Sequence, residues 1–112
     1  MTTTLTDLIQ PGNVAVVTGA SSGIGRAAAL QWAAAGMTVY MLDIDATELD
    51  AAANMAPSGT TVHAVTVNVA DEHAMKQVAD NVFAKHETCH ILFNNAGVGL
   101  GGCEWGFTNV QL

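Results

Sequence analysis

The stretch Val14-Ala-Val-Val-Thr18-Gly19-Ala-Ser21-Ser22-Gly23-Ile24-Gly25-Arg26 constrains the fold more than any other part of the chain. Its first half is a short apolar run rich in valine, which suits a buried parallel strand. Three glycines spaced G-x-x-x-G-x-G follow, and Arg26 to Ala35 then reads as helix. A strand that turns through glycines into a helix start is an anion site. Free N–H groups and the positive end of the helix dipole both point into the turn. Gly19 permits the tight turn, Gly23 lets the backbone approach a pyrophosphate, and Gly25 lets the helix pack closely. The spacing is a variant of the dinucleotide-binding G-x-G-x-x-G. No Gly-Lys-Ser/Thr follows, so a P-loop is excluded. A plain strand-to-helix turn would show the same glycines, and the context decides between the two.

That context is a second apolar run, Met37 to Ile44, which completes a βαβ unit. It ends at Asp43, roughly 20 residues past the glycines, where an acid can accept hydrogen bonds from a ribose diol. Asp45 to Glu48 has capping-box spacing and opens a helix through about Met55. Thr61–Val69 is a third strand, rich in β-branched residues. Asp71 caps a helix with an apolar stripe at Met75, Val78, Ala79, Val82 and Phe83. His90–Asn94 is a fourth strand. A glycine-rich loop from Val98 to Gly106 follows, and Thr108 to Leu112 reads as the opening of a further helix. This alternation predicts an α/β fold with a doubly wound parallel sheet, strand order 3-2-1-4. The nucleotide crevice then lies at the C-terminal ends of the first and fourth strands. Residues 1–10, ahead of Pro11-Gly12, read as a mobile arm.

Composition narrows the partners. The 112 residues form one domain or part of one, half of them hydrophobic and 12% charged. A formal charge of −7 with three basic residues argues against nucleic acid or an anionic membrane. No apolar window is long enough to span a bilayer, and the first basic residue is Arg26, so neither a membrane segment nor a signal peptide is expected. Cys89 and Cys103 read as free thiols in a reducing, cytoplasmic setting. His63, His73, His86 and His90 show no metal-ligand spacing and read as packing or surface residues, so no metal site is expected.

Thr18-Gly-Ala-Ser-Ser-Gly-Ile-Gly25 together with Asn94-Asn95-Ala96-Gly97 resembles the short-chain dehydrogenase/reductase family. The resemblance runs from about Gly12 to Leu112 and covers the front part of the family's domain. It implies a Rossmann-type NAD(P)-binding portion of an oxidoreductase. In the parent protein, expected to be a homo-oligomer, hydride passes between the cofactor and a small alcohol or ketone. Family members that prefer NADP often carry a basic residue just before the second glycine or shortly after the second strand. Here Ser22 holds the first place and Ile44-Asp45 follow Asp43, which implies a preference for NAD. The family's catalytic Tyr-x-x-x-Lys and its preceding Ser have no counterpart: Tyr40 is the one tyrosine, and Ile44 stands four places on. No catalytic residue is therefore assigned, the chain is expected to be the inactive cofactor portion of a longer enzyme, and the alternative is a free-standing nucleotide-binding or interaction module.

The candidate cofactor residues each have a plainer reading. Ser21, Ser22 and Ile24 sit in the glycine turn, where the serine hydroxyls can reach phosphate or simply serve the turn. Asp43 can hold a ribose or cap a strand end. Asn68-Val69 stands where the family commonly has Asp-Val beside the adenine, and Asn68 can still donate and accept there or merely end the strand. Asn94 and Asn95 can brace the sheet or contact cofactor, while Ala96 and Gly97 are small enough to admit a ribose. The helices from Arg26 and Ala46 fall on one face of such a sheet and only the Glu72–His86 helix on the other, and the fourth strand is left as an edge. The isolated chain is therefore expected to be marginally folded, self-associating and weak in NAD binding.

Overall fold

The computed structural model of the chain describes residues 4–95 and 110–111. A turn of helix, α1 (Leu5–Leu8), stands where the mobile arm was expected. A reciprocal capping box between Thr4 and Asp7 starts it, and Leu8 is buried in the core. β1 (Val14–Thr18) follows and is buried at every position. It runs into α2 (Gly23–Ala34), then β2 (Thr38–Asp43), α3 (Ala46–Ala53), β3 (Thr61–Thr66), α4 (Glu72–His86) and β4 (Ile91–Phe93). A two-residue strand, β5 (Val110–Gln111), is the last element. All pairings are parallel and the order is β3-β2-β1-β4-β5.

Strand alternation divides the core in two, one part on each face of the sheet. Ala15, Val17, Val39, Met41 and Ile91 meet Ala29, Trp32 and Ala33 of α2 and Leu49 and Ala52 of α3. Val14, Val16, Tyr40, Leu42 and Leu92 meet Met75, Val78, Ala79 and Val82 of α4. Right-handed crossovers dictate this division, because the third crossover runs opposite to the first two. Four of the five stripe residues on α4 are buried, and Phe83 packs half-buried against them.

Three expectations need correction. β4 is not an edge: β5 pairs with it, Ile91 opposite Val110 and Leu92 opposite Gln111. Val110 and Gln111 are accordingly strand rather than part of an opening helix. Local cap signals lost to tertiary pairing, to which a β-branched valine is well suited. The third strand also stops earlier than Val69. Val67 still donates to the Asp43 carbonyl, but Asn68 then folds into an Asx turn. Its Oδ1 accepts from Ala70 N–H at 3.0 Å and its carbonyl accepts from Asp71 N–H at 2.9 Å. The glycine-rich loop, with Ala96, Gly97, Cys103 and Thr108, lies outside the described residues.

Candidate nucleotide site

A cleft of about 540 Å³ opens at the C-terminal ends of β1, β2 and β3. The glycine turn lines it with Gly19, Ser22, Gly23 and Ile24, and β2 ends in it with Asp43 and Ile44. Val67, Asn68 and Val69 close the β3 side, and Asn95 reaches in from beyond β4. Ligands of open α/β sheets bind at such a point.

The glycine turn takes its shape from three different demands. Gly19 and Gly23 have φ of +62° and +59°, which residues with side chains adopt only at a cost. A Cβ on Gly23 would meet nothing within 4 Å, so the backbone there is open to an occupant. Gly25 is different: a Cβ would strike the Gly19 carbonyl oxygen. Gly25 therefore shapes the turn from outside the cleft, as its packing role required.

The start of α2 stands apart from the other helix starts. Thr4, Asp45 and Asp71 each accept a first-turn N–H with the side chain at the N-caps of α1, α3 and α4. Ser22, the N-cap of α2, makes no such bond. The exposed Ser22 hydroxyl and an uncapped helix N-terminus thus face the cleft together.

Ser21 is turned to another task. It is buried, and its N–H and Oγ donate to Asp43 Oδ2 at 3.2 and 2.8 Å. Asp43 Oδ1 accepts from the N–H groups of Ile44 at 2.7 Å and Asp45 at 3.3 Å. Partial burial pushes the Asp43 carboxyl up. The bonds from the Ser21 hydroxyl and from the Asp45, Ser21 and Ile44 amides outweigh that and hold it below the usual carboxylate value. Asp43 is thus a fixed negative charge at the mouth of the cleft, its four acceptor positions already occupied.

β4 is tied to the turn by Asn95. Its N–H donates to Thr18 Oγ1 at 2.9 Å, its Nδ2 donates to the Gly19 carbonyl at 3.2 Å, and Thr18 Oγ1 donates to the Phe93 carbonyl at 3.3 Å. Asn95 both braces the sheet and lines the cleft. Asn94 does not line it, and its buried Oδ1 has no hydrogen-bond partner among the described residues. Three contributors carry no role of their own in the sequence reading. Thr18 stands there only as the strand end that opens the glycine motif. Val67 and Ile44 adjoin residues already singled out, and Ile44 is two-thirds exposed, an apolar side chain kept at the cleft mouth. The histidines lie elsewhere, His63 and His86 on Tyr40 and His90 on Val14. No group of three His, Cys, Asp or Glu among the described residues could hold a metal. No helix among them is long and apolar enough to cross a membrane.

This is the arrangement of a dinucleotide-binding α/β protein. The family pattern described as short chain dehydrogenase matches residues 13–110, and the chain belongs to that family. The Mycobacterium tuberculosis protein named "Probable oxidoreductase EphD" is 42% identical over 87 residues, covering 77% of this chain and 15% of that protein. A metagenomic short-chain oxidoreductase solved in complex with NADP superposes with a TM-score of 0.75 at 36% identity, covering 81% of this chain and 42% of that one. NAD+-bound xylitol dehydrogenase superposes with a TM-score of 0.72 at 32% identity, covering 79% and 34%. The chain spans less than half the length of each.

Proposed function

We propose that the cleft binds a nicotinamide adenine dinucleotide, with NAD preferred to NADP, and that this chain is the cofactor-binding part of an oxidoreductase. One observation carries the reading: the uncapped, three-glycine start of α2 faces the same cleft as the ionised Asp43. Diphosphate suits the first, where N–H groups converge without a competing carboxylate cap. A 2′-phosphate is opposed by the second, and no Lys or Arg among the described residues lines the cleft to offset it. The two solved relatives carry NADP in one case and NAD+ in the other, so the preference rests on this chain's own residues.

Ser22, Gly23 and Ile24 hold the diphosphate and Asp43 the adenosine ribose, while Ile44, Asn68 and Val69 flank the adenine. Asp43 already meets four donors, so a ribose diol shares or displaces them, whereas charge exclusion needs no free acceptor position. Ser21 and Gly25 shape the turn, Asn94 and Asn95 the strand end, and Ala96 and Gly97 leave room for the second ribose. Bound nicotinamide supplies hydride transfer, and the partner is a small alcohol or ketone. On the same reading the parent protein is a cytoplasmic homo-oligomer. Fluorescence titration of the protein with NADH and NADPH is the test. Two unit charges near 4 Å repel by about 1 kcal/mol even at bulk-water screening, so a doubly charged phosphate loses about tenfold or more in affinity. Equal or tighter NADPH binding overturns the preference.

A further inference from the structure

We infer that His90 is a titratable latch on the seam between β1 and β4, closed only while its Nδ1 carries no proton. Val14 is the first residue of β1 and is 1% exposed. Its N–H donates to His90 Nδ1 at 2.9 Å, and its carbonyl accepts from His90 N–H at 2.9 Å. One residue thus serves both polar groups of Val14, once with main chain and once with an imidazole. Regular pairing begins only at the next step, Ala15 opposite Ile91. The seam is pinned at its other end by Thr18 and Asn95, with three paired positions between.

The chemistry of the ring decides the behaviour. An imidazole that accepts at Nδ1 must hold its proton on Nε2, and an imidazolium donates from both nitrogens. Protonation therefore sets N–H against N–H and leaves a buried donor without a partner. The other buried-side histidines lack this constraint. His86 Nε2 lies 2.6 Å from the Tyr40 hydroxyl, which can donate to the neutral ring or accept from the charged one. His63 stacks on Tyr40, and no hydrogen bond ties it to a described residue. The surroundings of His90 do not hold it in one charge state. Val14 of β1 and Asn13 just ahead of it are not titratable, and the titratable residues that precede His90 at the end of α4 and in the turn after it are Lys85, His86, Glu87 and Cys89. Burial lowers its proton affinity, and no charged neighbour contributes. The latch is thus closed at neutral pH and released by acid.

The test follows two nuclei in the 15N-labelled full chain from pH 8 to 5. At pH 8 the imidazole nitrogens of His90 should report the Nε2–H tautomer. Below about pH 6.5 the Val14 amide should lose exchange protection, after correction for intrinsic rate, by up to about tenfold per pH unit, the limit for one proton. The loss should begin near the free-imidazole value and be complete where His90 itself is half-protonated. His90→Asn keeps an acceptor that does not titrate and should make Val14 protection flat over this range. His90→Asp should move the transition about 2–3 pH units lower. An Nδ1–H tautomer at pH 8 overturns the inference. So does constant Val14 protection while His90 titrates, or an Asn variant with the wild-type acid response. The wild-type measurements stand even if a variant does not fold.

Discussion

A β-carbon on Gly25 would stand 2.6 Å from the side-chain nitrogen of Asn95. That nitrogen donates to the Gly19 carbonyl, the same oxygen a Gly25 side chain would strike. The absence of one methyl group thus keeps open the bond that fixes the glycine turn to the end of β4. Gly25→Ala is expected to destabilise the protein by about 1–3 kcal/mol, the usual cost of overpacking. Urea melts of the variant and wild type measure it. Removing Asn95 as well should recover only part, because the clash with the main-chain oxygen of Gly19 persists. A Gly25→Ala variant as stable as wild type would show that the turn can shift aside freely.

Asp43 gives two linked expectations. Its carboxyl is held below the usual value in the folded chain, so its contribution to stability is complete above about pH 3.9 and is lost as pH falls through the folded value. Asp43→Asn removes that acid dependence, and it also turns one acceptor into a donor against N–H groups, so it destabilises at neutral pH as well. The same variant should narrow the NADH-to-NADPH affinity ratio by about tenfold, since the opposing charge is gone. Melts between pH 3 and 7 and paired cofactor titrations check the two effects separately. An unchanged ratio removes the charge argument.

Much of this was legible in the chain. β1 and β2 announce themselves as apolar runs, and α4 as a stripe that the core then buries. The cleft was legible too, because glycine spacing, Asp43 and Asn68 are local signals at strand ends. What escaped depends on distance or on very short elements. β5 is two residues long and carries no periodicity. The end of β3 is set by one Asx turn. The Ser21 hydroxyl is claimed by Asp43, well down the chain, and the imidazole of His90 meets the main chain of Val14 at the opposite end of the sequence. No spacing rule reports such pairs. α1 had a signal, the Thr4–Asp7 pair, in a segment whose polar composition outweighed it.

The 112-residue chain alone is expected to give no dehydrogenase turnover. Tyr40 sits in β2 with its hydroxyl on His86, away from the cleft, and no Tyr-x-x-x-Lys occurs in the sequence. General acid–base assistance of this kind is worth roughly 10²–10⁴-fold in rate. Nicotinamide absorbance with a panel of secondary alcohols should remain flat. Turnover proportional to chain concentration through repeated purification would overturn the expectation.

Ser22 separates stability from binding. It is the N-cap of α2 and leaves the first turn without a side-chain acceptor, whereas Asp45 and Asp71 cap α3 and α4. Ser22→Asp supplies a carboxylate at the positive end of the helix. Capping and the dipole together stabilise by about 0.5–2 kcal/mol, so the free protein should melt higher. The same carboxylate stands where the diphosphate is proposed to sit, and repulsion between them should weaken NADH by about tenfold or more. The two effects have opposite signs, which a general disturbance of the turn does not produce. Thermal melts without cofactor and titrations with NADH read them independently. A variant that is more stable and binds NADH as well as wild type would place the diphosphate somewhere other than the start of α2.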